Sequence, residues 1–235
     1  MADNSREWKT LAVIPARGGS KRIPRKNIRP FLGVPLLQRT VTQLSEARLF
    51  DRIVVSTDDD EIAAVASAAG AEVPFRRPAE LSEDSTPTLP VIEHAIRELD
   101  GTAAAVCCVY PAAVLALPAD LARGLAVLKE TGADYVFPAT AFPYPIQRAL
   151  RNGPGGRCVM FWPEHLETRS QDLEPAFHDA GQFYWGRREA WLQRRPLFGA
   201  ASRMLIVASH RVQDIDTLDD WRRAELIFEL LKRGQ

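Results

Sequence analysis

A doubly wound α/β fold, with a mostly parallel sheet covered by helices on both faces, is the architecture this sequence predicts. Three observations predict it. Short apolar runs of strand length alternate with stretches of helical periodicity as far as Ala139, and such alternation builds parallel sheets. A glycine-containing basic loop follows the first run directly, where an open α/β sheet gathers its ligands. A second polar segment, 76–88, follows the third run and so belongs at the same rim.

Each element has its own reason. Residues 11–14, Leu-Ala-Val-Ile, are too short and too apolar for a surface helix and read as a buried strand. Gly18 and Gly19 then supply positive-φ turns and close approach to an anion, while Ser20 and exposed amides supply neutral donors. Residues 35–49 set Leu37, Val41, Leu44 and Leu49 at roughly helical spacing behind a proline in the first turn. A strand at 53–56 leads into Asp58-Asp59-Asp60-Glu61, read as a helix start with Asp58 as cap and Glu61 as its capping-box partner; Gly70 ends that helix. These acids therefore serve the helix rather than a metal. Strands at 72–75, 104–109 and 134–139 and helices at 88–99 and 118–129 continue the pattern. From 141 to about 181, Pro143, Pro145, Gly153, Pro154, Gly155, Gly156, Pro163 and Pro175 break any long element, so this stretch reads as an insertion. Strands return at 182–185 and 204–208, and 217–231 closes the chain as an amphipathic helix with Trp221, Leu226, Ile227 and Leu230 inward.

At 235 residues and 46% hydrophobic composition the chain suits one domain, 1–235, carrying that insertion. Lys plus Arg equals Asp plus Glu at 30 each, so no overall basic footprint argues for a nucleic-acid partner. No apolar run approaches the roughly 20 residues that span a bilayer, and residues 1–7 lack a signal-peptide core. A cytoplasmic protein without a membrane partner is expected. Of the three cysteines, Cys107 and Cys108 read as small core residues, and Cys158 has no neighbour that marks a nucleophile.

The positive charge is local. Arg17, Lys21, Arg22, Arg25, Lys26 and Arg29 stand in a stretch with no acidic residue between Glu7 and Glu46. Such a field after a first strand suits a polyphosphate, although most charge runs are merely solvated. The spacing fits neither the Walker loop nor the dinucleotide fingerprint. The run Ile14-Pro15-Ala16-Arg17-Gly18-Gly19-Ser20-Lys21, continued by Pro24-Arg25-Lys26-Asn27, resembles the cytidylyltransferases that activate eight- and nine-carbon acidic sugars as CMP conjugates. The resemblance implies a Rossmann-like nucleotidyltransferase fold in which the insertion forms a dimer or lid. It implies that Ala16 to Lys21, with Lys26 and Asn27, bind the nucleotide, the cations Arg17, Lys21 and Lys26 taking the triphosphate. Arg17 and Lys21 become the candidates for catalysis by neutralising developing charge.

Two further constellations extend the resemblance. In Arg77-Pro78-Ala79-Glu80-Leu81 and the following Asp84-Ser85-Thr86-Pro87-Thr88, Arg77 matches a donor to the cytosine carbonyl, Thr86 a backbone acceptor for its amino group, and Thr88 an added hydroxyl, with helix capping by Thr88 as the plainer role. In Gln213-Asp214-Ile215-Asp216-Thr217 the alternation of a strand-like chain points Asp214 and Asp216 the same way. Paired carboxylates beside a polyphosphate suit Mg²⁺, and the family carries a matching Asp-x-Asp; capping of the last helix accounts for Asp216 or Thr217 but not for Asp214.

The runs 142–148 and 181–186 resemble the pseudaminic acid cytidylyltransferases more than the sialic acid ones. They offer Gln147, Arg148, Gln182 and Tyr184, with Arg169 between them, to a sugar acid, an arginine forking onto its carboxylate. An oligomer interface is the bland alternative. One departure stands out: where the family commonly has Pro followed by Thr or Ser near the sugar, this chain reads Tyr110-Pro111-Ala112-Ala113. The expected reaction is transfer of CMP from CTP to the anomeric hydroxyl of a nonulosonic acid, foremost pseudaminic acid, with Mg²⁺ and a homodimer implied. The alternatives are sialic, legionaminic or deoxy-octulosonic acid as acceptor, or a nucleotide-binding module that has lost transfer. Neither His94 nor His178 is singled out as a base.

Overall fold

The computed structural model describes residues 8–99 and 101–233. The reading of 1–7 as lacking a leader core lies outside the described residues. The main sheet has seven strands. In chain order the elements are β1 (Thr10–Pro15), a small hairpin of β2 (Pro30–Phe31) and β3 (Val34–Pro35), α1 (Leu36–Ala47), β4 (Arg52–Ser56), α2 (Asp60–Ala68), α3 (Thr88–Glu98), β5 (Ala105–Val109) and α4 (Pro118–Thr131). There follow β6 (Tyr135–Ala141), the hairpin strands β7 (Leu150–Asn152) and β8 (Cys158–Met160), β9 (Phe177–Asp179), β10 (Phe183–Arg187), α5 (Arg188–Leu192), β11 (Ser202–Ile206) and α6 (Leu218–Arg233).

The strand order is β11-β6-β10-β5-β1-β4, with β9 beside the end of β6. β4, β1 and β5 run parallel, as do β6 and β11; β10 lies antiparallel between the two groups, and β9 is antiparallel to β6. The sheet is thus mostly parallel and covered on both faces, as expected. The period of two explains the layers. Ala12 and Ile14 of β1 pack with Leu37, Val41 and Leu44 of α1 and Leu121, Leu125 and Leu128 of α4. Leu11 and Val13 face the other way, onto Ile92, Ala95 and Ile96 of α3 and Trp191 of α5. Cys107 and Cys108 are buried within these layers, one on each face, and Cys158 is exposed.

A third cluster positions the site. Ile23, Phe31 and Leu36 pack against Ile215, Trp221 and Ala224, so burial of Ile215 draws the segment before α6 onto the basic loop after β1. Trp221 stacks edge-on to Phe31 at 5.4 Å. The inward stripe of α6 is therefore Trp221 and Ala224, backed by Ile227, Phe228 and Leu231. This corrects the expected placement of Leu226 and Leu230, which are 61% and 66% exposed: the packed positions follow the spacing from Trp221, and these two leucines fall off it.

Two other expectations change. The strand at 72–75 is reduced to isolated parallel bridges, Val54 with Glu72 and Thr57 with Arg76, because Pro74 has no amide to give a ladder. The cap of α2 is Asp59, whose carboxylate accepts from the Ile62 amide at 3.0 Å, and Asp58 turns elsewhere. The stretch 141–181 holds the β7–β8 hairpin apart from the main sheet, then β9, and it exposes Tyr144, Leu150, Phe161 and Leu166. Among the described residues no helix is long and apolar enough to cross a membrane.

Candidate active site

The loop after β1 is held by its own backbone. The Ala16 amide donates to the Ser56 carbonyl (2.9 Å), continuing the sheet, so Ala16 is a buried support rather than part of the cleft wall. The Gly18 amide donates to Asp58 Oδ1 (3.0 Å), and Asn27 Nδ2 donates to the Arg17 carbonyl (2.9 Å). Asn27 thus fixes the loop beside the cleft.

Neither Gly18 nor Gly19 has positive φ. The left-handed residue here is Arg25, at φ 55°, held by Asp59 and by Glu61 (2.7 Å). Gly18 is required for proximity instead: a Cβ there would lie 2.5 Å from Asp59 Oδ2, an oxygen already clamped by Arg25. Gly18→Ala is expected to cost about 1–3 kcal/mol, checked as a lowered urea midpoint. An unchanged midpoint would show that Asp59 moves aside freely. Gly19 is exposed and a Cβ there would meet nothing within 4 Å.

A cleft of about 420 Å³ opens at the carboxyl ends of β1 and β5, lined by Arg17, Ser20, Lys21, Lys26 and Asn27, by Arg77, Thr86 and Thr88, by Tyr110, and by Asp214 and Asp216. The early cations and the late acids therefore share one wall-to-wall space. Arg17 pairs with Asp84 at 2.6 Å and Lys21 pairs with the same carboxylate. Arg22 pairs with Asp216 at 2.7 Å, and Lys26 donates to the Ile215 carbonyl at 2.7 Å with Asp216 at 3.8 Å. The Asp214 carboxyl is pushed above its usual range, first by burial and then by its neighbour Asp216. Two acids in mutual repulsion at the foot of a cationic cleft fit a hard divalent cation completed by water and phosphate oxygens.

At the other end Arg77 is 4% exposed. Its Nε donates to Ser82 Oγ (3.1 Å), whereas Nη2 is buried with no hydrogen-bond partner. Burial depresses its pKa, and the Asp58 carboxylate at 3.6 Å opposes that. A buried guanidinium with a spare donor beside a cleft is equipped to read a carbonyl oxygen. Thr86 donates its hydroxyl to the Glu80 carbonyl (3.3 Å). The Thr88 hydroxyl meets Tyr110 OH at 2.9 Å; it does not cap α3, whose cap position is Pro87. Burial pushes the Tyr110 phenol up to about 12, so it stays neutral.

The residues expected at a sugar divide. Tyr110 lines the cleft and packs edge-on to Tyr184 at 5.5 Å. Tyr184 lies behind it and donates to Asp179. Gln182 is buried, its amide spent on the Arg211 carbonyl (2.8 Å), and Arg211 pairs with the buried Asp120; this chain braces the approach to Asp214. Gln147, Arg148 and Arg169 do not line the cleft. They bond within 141–181, to the Glu174 carbonyl, to Ser170 Oγ and to Asp172 respectively, because this stretch folds on itself rather than over the cleft. His94 and His178 are also absent from the lining. The structure brings in Asp58, which pattern reading took for a helix cap because an acid after a strand looks like one, and it gives Asp84 of the base motif a partnership with Arg17 and Lys21 that only proximity reveals.

With this geometry in place, relatives can be compared. A cytidylyltransferase family profile matches residues 11–143, the stretch that carries the basic loop, Arg77 and Tyr110. The chain belongs to the cytidylyltransferase family. It is an enzyme of nucleotidyl transfer. Over 225 residues, 94% of this chain and 97% of the relative, this cytidylyltransferase is 40% identical to the pseudaminic acid cytidylyltransferase of Campylobacter jejuni. It is 28% identical to the CMP-N,N'-diacetyllegionaminic acid synthase of Legionella pneumophila over 94% of this chain and 96% of that one. Among solved structures, a CMP:2-keto-3-deoxy-manno-octonic acid synthetase complexed with CTP superposes with TM-score 0.69 over 97% of this chain and 100% of that chain. At 17% identity this last likeness concerns the fold.

Proposed function

We propose that this cytidylyltransferase transfers CMP from CTP to the anomeric hydroxyl of a nonulosonic acid, pseudaminic acid, with release of pyrophosphate. The observation that carries the reading is the single cleft in which the cations of the loop, Arg77 and the acid pair Asp214 and Asp216 meet. The 40% identity to a pseudaminic acid enzyme supports the choice of acceptor. The acceptor oxygen attacks the α-phosphorus as the bond to the bridging oxygen of pyrophosphate breaks, and the hydroxyl proton leaves to solvent. Arg17, Lys21 and Lys26 hold the phosphates and offset the charge that builds on the leaving group. Arg77 orients the base through its carbonyl, Thr88 and Tyr110 hold a neutral hydroxyl pair at the floor, and Ser20 lines the phosphate end. Asp214 and Asp216 would hold Mg²⁺, which when bound supplies Lewis acidity at the phosphates.

In this reading the chain is one cytoplasmic nucleotidyltransferase domain. It works as a homodimer, in which a second copy covers the exposed apolar side chains of 141–181 and brings Arg148 and Arg169 to a sugar carboxylate. The decisive assay is pyrophosphate release with CTP, Mg²⁺ and a panel of pseudaminic, sialic, legionaminic and deoxy-octulosonic acids. Turnover of pseudaminic acid above the others is expected. Preference for another acid would move the acceptor assignment, and CTP binding without release under any acceptor would favour a binding module.

Asp84 gives a second expected result. It occupies Arg17 and Lys21, the groups a triphosphate needs, so it has to leave as the nucleotide enters. Asp84→Asn is expected to lower the KM for CTP about two- to fivefold, the range of an exposed ion pair. A raised KM would mean that Asp84 orders the cations instead of blocking them.

A further inference from the structure

Three acids follow β4 in sequence, and the structure gives each a different task. Asp59 caps α2 and Asp60 pairs with Arg76 at the surface. Asp58 turns into the site. One of its oxygens, Oδ1, accepts from the Gly18 amide at 3.0 Å and lies 3.6 Å from Arg77 Nη2. The backbone reinforces the link, since the Arg77 amide donates to the carbonyl of Thr57, the residue before Asp58, at 2.8 Å.

We infer that Asp58 is a positioning residue, a single carboxylate that sets the base-reading arginine in register with the phosphate loop. The inference rests on the assignment of Arg77 to the cytosine. Arg77 is buried and its other fixed donor, Nε, is held by a neutral hydroxyl. Asp58 is the carboxylate that faces it, and the other charge acting on it is the like-charged Arg17. A buried cation keeps its charge and its aim only with a counter-charge nearby. Asp58 supplies that while its same oxygen anchors the glycine next to Arg17. The two halves of the nucleotide, base and triphosphate, are thereby measured against one atom. The separation of Arg77 from the loop becomes a fixed length that a pyrimidine nucleotide has to match.

The test uses Asp58→Asn and Asp58→Ser in the full chain; both remove the charge and keep an oxygen within the side chain. For whichever keeps the wild-type circular dichroism spectrum, kcat/KM for CTP is expected to fall about tenfold through KM, as for loss of a charge-assisted contact. Inhibition by inorganic triphosphate should stay within about twofold, so the loss is confined to a ligand that carries the base. In an Arg77→Lys background the same substitution should have little further effect on kcat/KM for CTP. An unchanged kcat/KM for CTP, or equal losses for CTP and inorganic triphosphate, would overturn the inference. So would failure of both variants to fold, which would assign Asp58 to the loop's stability. An Arg77→Met variant that keeps the wild-type kcat/KM for CTP would instead overturn the assignment of Arg77.

Discussion

Asp214→Asn and Asp216→Asn are each expected to lower kcat/KM by about a hundredfold or more, the scale of losing an ion ligand that stabilises transferring phosphate, while costing the fold no more than about 1 kcal/mol. The two halves of that expectation come from different observations. Asp216 is joined to Arg22 and Lys26 by partly exposed ion pairs, and such pairs contribute about 1 kcal/mol or less. Asp214 is worse than neutral for the fold. Its carboxyl is raised by burial and by Asp216, and an acid whose pKa is higher folded than unfolded stabilises the fold only when protonated, losing that contribution as pH rises through the folded value. At neutral pH the charged form is therefore a cost, which asparagine removes. Thermal unfolding in the absence of metal should show Asp214→Asn unchanged or higher in midpoint, and turnover should recover partly as Mg²⁺ is raised. A variant that loses stability and activity together would identify the pair as structural, as would activity that is indifferent to the metal.

How much of this was legible beforehand depends on the range of the contact. The alternation of strands and helices was plain because it is written in periods of two and 3.6, and Ala12 and Ile14 against Leu11 and Val13 obey it on opposite faces of the sheet. The cations of the loop were legible because they are contiguous. The partnership of that loop with residues nearly two hundred positions later was only inferable from resemblance; physically it is made by Ile215 sinking between Ile23 and Trp221, a packing event with no local signature. The antiparallel course of β10 was equally hidden, since a buried strand reads the same in either direction. Errors gathered where one residue type has two uses. Asp58 and Asp59 are both competent caps, and the choice fell to the one whose neighbour Arg25 could reach it. Leu226 and Leu230 are apolar and yet exposed, because a helix of this length offers more apolar positions than the cluster around Phe31 can cover. Gln182 shows the same ambiguity: a polar residue at a strand end reads as a ligand, but its amide is committed to Arg211.

Arg77→Met carries the second large effect, and its sign on stability is again opposite to its sign on function. The guanidinium is almost wholly buried, and burial drives its pKa down against the opposing pull of Asp58. Ion pairs in that situation often contribute no more than an apolar side chain of similar volume, provided the remaining partner is not stranded. Asp58 is not stranded, because it keeps the Gly18 amide and is partly open to solvent. A methionine fills the same space, so thermal stability should change little. The nucleotide fares differently. Arg77 lines the cleft, and the one hydrogen bond its guanidinium makes among the described residues is from Nε to Ser82 Oγ, so a carbonyl in the cleft gains a charge-assisted hydrogen bond without that bond being broken. Its loss is expected to lower kcat/KM for CTP by about a hundredfold. Arg77→Lys should not rescue it: an ammonium is a point charge without the fork that reaches Ser82 Oγ and the cleft at once. Full activity in the lysine variant would mean that charge alone, and not the direction of a held donor, is what the base requires.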